Sequence, residues 1–186
     1  MAVSKTFNLD ANTHQRAERK LLITVAEWLD PDGNITIGSD KFSREILGRR
    51  TEDSSIEYNP DVQTSTDILG INYSDLNKTQ PQQDFDPFLI LGGSKLGMLL
   101  NDIRRRNALT ELNQFTIYVI TAFIGDSTNG YAAERHVECT ILYNSIGGDS
   151  NVNFPISVYL SNNSTIGTVN KLSDDFDYSV DNNVNL

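Results

Sequence analysis

The spacing of apolar and polar residues changes character several times along this chain. Residues 20–29, KLLITVAEWL, hold three consecutive β-branched residues, Ile23, Thr24 and Val25. Such residues are stiff at χ1 and suit a pleated surface. The same run read as a helix would place Leu21, Val25 and Trp28 on one face, but the β-branched block argues for a strand. Asp30-Pro31-Asp32-Gly33-Asn34 follows. Pro fixes φ there and Gly supplies a positive one. With Ile35-Thr36-Ile37 behind it, the pattern predicts a hairpin over 20–37.

Residues 41–83 are polar, with apolar beads at Ile46-Leu47, Ile56–Tyr58 and Ile68-Leu69 and no helical period. A stretch of this length without structure is rare in a compact domain and usually functional. It is expected to be a long excursion containing short strands, after which Phe85–Leu91 returns to the core. Residues 94–107 predict a helix. Leu96, Leu99, Leu100 and Ile103 recur at three- and four-residue steps, joined by Met98. Ser94 is placed to cap the start, Arg104, Arg105 and Arg106 complement the dipole at the end, and Asn107 terminates it.

Beyond the helix the period becomes two. Residues 113–124, NQFTIYVITAFI, are apolar on both faces, as a central strand is. In 131–143, Tyr131, Ala133, Val137, Cys139 and Ile141 predict a buried face. Ala132, Glu134, His136, Glu138 and Thr140 predict a wet, acidic one. Residues 153–160 and 164–170 predict two more strands, with a turn at Gly147-Gly148-Asp149. Residues 172–186 are acidic and turn-rich, an arm with aromatic anchors at Phe176 and Tyr178. No βαβ alternation occurs, which disfavours a parallel nucleotide-binding sheet. The fold class expected is mainly β: a β-sandwich or partial barrel with one flanking α-helix, a long inter-strand loop and terminal arms.

Composition narrows the function. With 186 residues, the chain is expected to form one domain with a sizeable core and no need of disulfides. One cysteine excludes an internal disulfide and cysteine-rich zinc sites. The opening MAVSKTFNLD lacks a signal-peptide run, so synthesis in a reducing cytoplasm is expected. No apolar run reaches the ~18 residues of a spanning helix. Fifteen Lys and Arg against 25 Asp and Glu give a net charge of −10. Residues 1–50 carry eight basic and seven acidic groups, whereas residues 51–186 carry seven and eighteen. Tight binding of nucleic acid needs the opposite balance.

No motif assembles a catalytic set. His136 and Cys139 are three apart on an expected strand, hence on opposite faces, and His14 lies in the N-terminal arm. His136-Val137-Glu138 has the His-x-Glu of zinc deaminases without the Pro-Cys-x-x-Cys that completes it. Asp30, Asp32 and Asn34 open like a calcium loop, but Ile35 and Lys41 stand where Gly and Glu are required. Gly92-Gly93-Ser94-Lys95 offers helix amides to an anion without the P-loop frame. Asp84 and Asp86 read as solvated charges, and the triple arginine as a solvated helix end or an interface. The expectation is a non-enzyme without cofactor or metal.

A more specific signal spans 51–91. The run Thr51–Asp61 leads to Thr64-Ser65-Thr66-Asp67-Ile68-Leu69-Gly70, then Asn77–Gln82 and Phe85-Asp86-Pro87. These segments, with Tyr131–Arg135, Gly147-Gly148 and the order hairpin, loop, helix, meander and arm, resemble the major tail tube proteins of long-tailed, siphophage-type bacteriophages. The resemblance implies a tail tube β-sandwich over 1–171, with an N-terminal arm at 1–15 and the long loop at 41–83, followed by a C-terminal arm at 172–186. It implies hexameric rings stacked into a virion tail tube. Partners would be other copies, a tape-measure protein, and tail terminator and distal tail proteins. DNA would pass through without specific binding, and no membrane is involved. A contractile-type injection tube and a β-sandwich binding module of the tail stay open. Candidate lumen residues are Glu134, His136 and Glu138. Candidate inter-subunit or inter-ring residues are Glu52, Asp53, Ile56, Tyr58, Asn59, Asp67, Ile68 and Lys78.

Overall fold

The computed structural model describes residues 7–51 and 53–181. The chain is mainly β with one α-helix, an antiparallel sandwich not closed into a barrel. Its strands are β1 (Leu22–Leu29), β2 (Ile35–Ile37), β3 (Asp40–Ile46), β4 (Ile56–Glu57), β5 (Asp61–Thr66), β6 (Asn72–Lys78) and β7 (Gln82–Phe85). Helix α1 (Lys95–Arg106) follows, then β8 (Phe115–Asp126), β9 (Gly130–Tyr143), β10 (Ile156–Tyr159), β11 (Ser164–Val169) and β12 (Tyr178–Val180). The main sheet runs β2-β3-β1-β8-β9-β10-β7-β4. The long strand β9 serves two neighbours: Tyr131–His136 pair with β11, and Thr140–Tyr143 pair with β10. Strand β12 extends the sheet beyond β11.

Strands β1 and β8 are sealed on both faces. Ala26, Trp28, Ile117 and Val119 pack into one cluster with Phe154, Ile156 and the buried face of α1. Val25, Tyr118 and Ile120 pack into a second with Val169 and Phe176. This is the physical content of the two-sided apolar run at 113–124. Across the first layer, Thr24 donates to Gln83 at 2.7 Å, joining β1 to β7 face to face. Helix α1 starts and stops where the sequence predicts. The Ser94 side chain accepts from the Gly97 N–H, and Asn107 adopts the left-handed conformation. Leu96, Leu100 and Ile103 are buried, while Met98 lies on the exposed side.

The expected hairpin over 20–37 is corrected. The turn is real, with Gly33 N–H donating to the Asp30 carbonyl at 2.8 Å, but Gly33 does not take the positive φ expected of it. Asp30 also accepts from Asp32 N and the Ser43 hydroxyl, which ties the loop to β3. But β1 pairs with β3, Leu29 opposite Phe42, and β2 forms a tight hairpin with β3 instead. The polar run Ser43-Arg44-Glu45 disguised a central strand. Each of its residues has a partner: Ser43 donates to Asp30, Arg44 to Glu27, and Glu45 accepts from Ser94 and Leu96 N. Polar side chains enter an interior when they are paired. The excursion therefore begins after β3, and β4 returns briefly to pair with β7.

Candidate assembly surfaces

Two surfaces stand out: a hairpin that has no fold of its own to lean on, and a wet sheet face. The hairpin is β5–β6, a separate two-stranded sheet. Its base is held by Gln80 N–H donating to the Tyr58 carbonyl at 2.9 Å and by Asn59 Nδ2 donating to the Gln80 carbonyl at 3.2 Å. One face pairs Val62 with Leu76, then Thr64 with Ser74 through a 3.2 Å hydroxyl contact, then Thr66 with Asn72 at 2.6 Å. Its tip is built tightly. Asp67 Oδ1 accepts from Leu69 N and Ile71 N at 2.8 and 2.9 Å, and Gly70 supplies the positive φ of 79° that closes the turn. This hydrogen-bonded tip holds aliphatic side chains in water: Ile68 is fully exposed and Leu69 is 78% exposed. Val62, Ile71, Leu76 and Tyr58 are exposed as well. An isolated two-stranded hairpin is at best marginally stable in water, and among the described residues β5 and β6 pair only with each other.

Of the inter-subunit candidates, Tyr58, Asn59, Asp67 and Ile68 thus fall on the hairpin or its base. The Lys78 backbone pairs opposite Asp61 at the end of β6. Ile56 does not project. It sits on β4 and packs against the core, because its partner Gln83 faces inward. Asp53 lines a shallow cleft with Glu57 and Asp84 at the foot of β4. Glu52 lies outside the described residues.

The lumen candidates do not form one row. Phe115 opposes Cys139 and Ile117 opposes His136, so β9 carries one more residue than β8 in this interval. Such a bulge re-aims side chains, and Glu138 takes a positive φ of 59° within it. Glu134 and His136 lie on the Ile117 side, while Glu138 lines a hollow with Thr116 and Thr140 on the other. His136 is buried, not wet, with Nδ1 2.8 Å from the Ser161 carbonyl and Nε2 3.5 Å from Glu134. Burial opposes its charge, but Glu134 and the Ser161 carbonyl outweigh that and hold the imidazole above its usual value. The bulge also brings His136 and Cys139 to the same face, contrary to the simple alternation. Cys139 is wholly buried and accepts from Ser161 N–H at 3.4 Å, and burial pushes its thiol up.

The outward face beyond the bulge combines several strands. Leu142, Ser157 and Asp84 align across β9, β10 and β7, as do Thr140, Tyr159 and Gln82, with Glu57 beside them on β4. Glu57, Asp84 and Glu138 are all exposed, which gives this face its acidic character.

The C-terminal segment closes the second core cluster through an ion pair that sequence reasoning missed. Arg44 Nε lies 2.6 Å from Glu27 Oε2, with side chains 4% and 1% exposed. Its guanidinium lies 4.2 Å from the Phe176 ring centre and 5.1 Å from that of Tyr118, and donates to the Phe176 carbonyl. Burial, with the Glu27 carboxylate alongside, pushes the Tyr118 phenol up to about 12. Glu27 and Arg44 are cross-strand neighbours; the signal became readable only once β1 was known to pair with β3.

The other chemical candidates resolve locally. The amides at the start of α1 are occupied by the Glu45 carboxylate, which accepts from Ser94 at 2.8 Å and Leu96 N at 2.9 Å. Arg106 is tied to Asp102 and Glu111 at the surface. Asp84 ends on β7 beside Gln82, and Asp86 lies beyond it, bonded to Asn153. Among the described residues, no group of three or more His, Cys, Asp or Glu is placed to hold a metal. No helix there is long and apolar enough to cross a membrane.

No family model matches the chain, and no curated protein matches it. Among solved structures it is similar to a chain of the anti-feeding prophage (AFP) baseplate, determined by cryo-EM and 6-fold symmetrised. The identity is 9% and the TM-score 0.41, with 81% of this chain and 94% of that chain covered. A likeness at that level carries no argument about function.

Proposed function

We propose that this chain is a structural subunit of a phage tail or tail-like particle that stacks in hexameric rings to form a tube. The reading rests on the resemblance of the 51–91 segment to tail tube proteins. The observation that carries it is the β5–β6 hairpin, which arises from that segment and holds Ile68 and Leu69 in water on a hydrogen-bonded turn. Fully burying two such side chains contributes about 1.5–3 kcal/mol each, and a ring of subunits multiplies the gain. The hairpin is then the ring-to-ring contact. The partners are other copies, a tape-measure protein, and the terminator and distal proteins at the ends. DNA passes through unbound, and catalysis has no part.

The acidic belt first expected of Glu134, His136 and Glu138 passes, in this reading, to Glu138 with Asp84 and Glu57, which share an outward sheet face. Like charges along a low-dielectric wall reinforce one another, so phosphates would slide past it. Negative-stain microscopy of the purified protein tests the reading. Rings and tubes are the expected result; a monomer at high concentration with affinity for glycans would replace it with a binding module. A sheath on the parent particle would assign the tube to a contractile system.

A further inference from the structure

A hairpin that docks needs an acceptor. Among the described residues, five of the surface clefts differ sharply in what they would welcome. Those beside Asp177 and Asp181, beside Glu57 and Asp84, and beside Glu138 are polar or acidic. The cleft at the start of α1 is lined largely by charged and glycine residues. The remaining one, about 320 Å³, opens where β1 begins and β3 ends. Its walls include Leu22, Ile23, Ile46 and Leu47, and its rim includes Lys20 and Arg49. The first three of these aliphatic side chains are only partly covered.

The hairpin segment 58–80 has the matching chemistry. It carries Asp61, Asp67 and Asp75 against Lys78, a net charge of 1 − 3 = −2. Its apolar tip sits next to Asp67. The rim cations are engaged only at the surface: Lys20 lies 2.6 Å from Glu18, and Arg49 lies 3.7 Å from Asp174, all well exposed. Such pairs are worth little and exchange readily.

We propose that the Ile68–Leu69 tip seats in this cleft of a second copy of the chain, with the acidic hairpin against the Lys20 and Arg49 rim. The inference rests on the tube reading and names the acceptor for its contact. Charge decides the choice: the acidic clefts would repel the same tip, and like charges in contact suppress wrong docking.

Cysteine cross-linking tests it on the full chain. Ile68→Cys with Lys20→Cys is assembled, checked by negative stain, oxidised and run without reductant; the buried Cys139 stays out of reach. The expected result is loss of the monomer band into dimers and higher ladders in assembled protein, and none in dilute monomer. The control Ile68→Cys with Ser127→Cys, whose second thiol lies in the acidic cleft, should keep its monomer band. Tubes that keep the monomer band in the first pair, or link only in the control, overturn the acceptor and leave the tube reading standing. An internal disulfide that consumes both thiols without a ladder overturns it too. Wild-type protein that never assembles overturns both. Should the first pair block assembly, Ile68→Cys with Arg49→Cys is read by the same outcomes.

Discussion

The sandwich and the β5–β6 hairpin invert each other's chemistry. In the sandwich, a glutamate and an arginine lie inside, paired at 2.6 Å and nearly inaccessible to water. On the hairpin, an isoleucine and a leucine stand outside, with none of the described residues covering them. The first region pairs its most deeply buried charges with each other. The second leaves its aliphatic tip in water. The contrast teaches that exposure of apolar residues on a hydrogen-bonded turn is more informative than polarity of sequence, since by polarity alone β3 and the hairpin looked the same.

The largest expected effect falls on assembly. Ile68→Asp with Leu69→Asp should abolish tubes while leaving stability within about 0.5 kcal/mol, because exposed positions away from structural features cost little. Microscopy with urea unfolding on the same preparation checks both halves. A loss of stability comparable to a core mutation would break the comparison, for the tip would then be part of the fold.

Next comes the sandwich's own inversion. Arg44→Met leaves Glu27 buried and unpaired, which should cost about 3–5 kcal/mol. Glu27→Gln combined with Arg44→Met should recover part of the loss, since no uncompensated charge remains. Urea denaturation of the two variants measures the difference. Equal stability of both would show that the Phe176 and Tyr118 packing, not the charge pair, holds the C-terminal segment.

The sequence predicted those parts whose periods speak for themselves. The 94–107 helix emerged from its three- and four-residue steps and its Ser94 cap, and β8 and β9 from their period of two. Long-range pairing was less legible. Nothing local tells Arg44 that it faces Glu27, so Ser43-Arg44-Glu45 read as loop. Nothing local marks the extra residue opposite Thr116, so His136 read as wet and as opposed to Cys139. The hairpin was legible as an excursion with apolar beads, but the difference between Ile56, which packs, and Ile68, which does not, required coordinates.

Smaller effects sharpen the account of the scaffold. Ser94→Ala removes the bond to Gly97 N–H and one partner of Glu45. It should cost about 1 kcal/mol of stability, read by urea denaturation, as caps typically do. His136 gives the smallest effect and a sign. Its folded value is raised, so its contribution is fully present below the unfolded value near 6.5 and is lost as pH rises through the folded one. Glu134→Gln should therefore lose stability chiefly at acidic pH. The variant's melting temperature should fall relative to wild type by about 1 °C more at pH 5.5 than at pH 8. An equal deficit at both pH values would mean that Glu134 does not hold the imidazole up.

Hydrogen exchange on monomer and assembled protein tests the central contrast most directly. In the monomer, amides of Asp61–Lys78 should exchange fast while β8 and β9 are protected, since the hairpin has no second layer. In tubes, docking worth about 3 kcal/mol should slow the hairpin amides roughly a hundredfold and leave the β8 and β9 amides unchanged. Hairpin amides already as protected as the core in the monomer, or unchanged on assembly, would contradict the account.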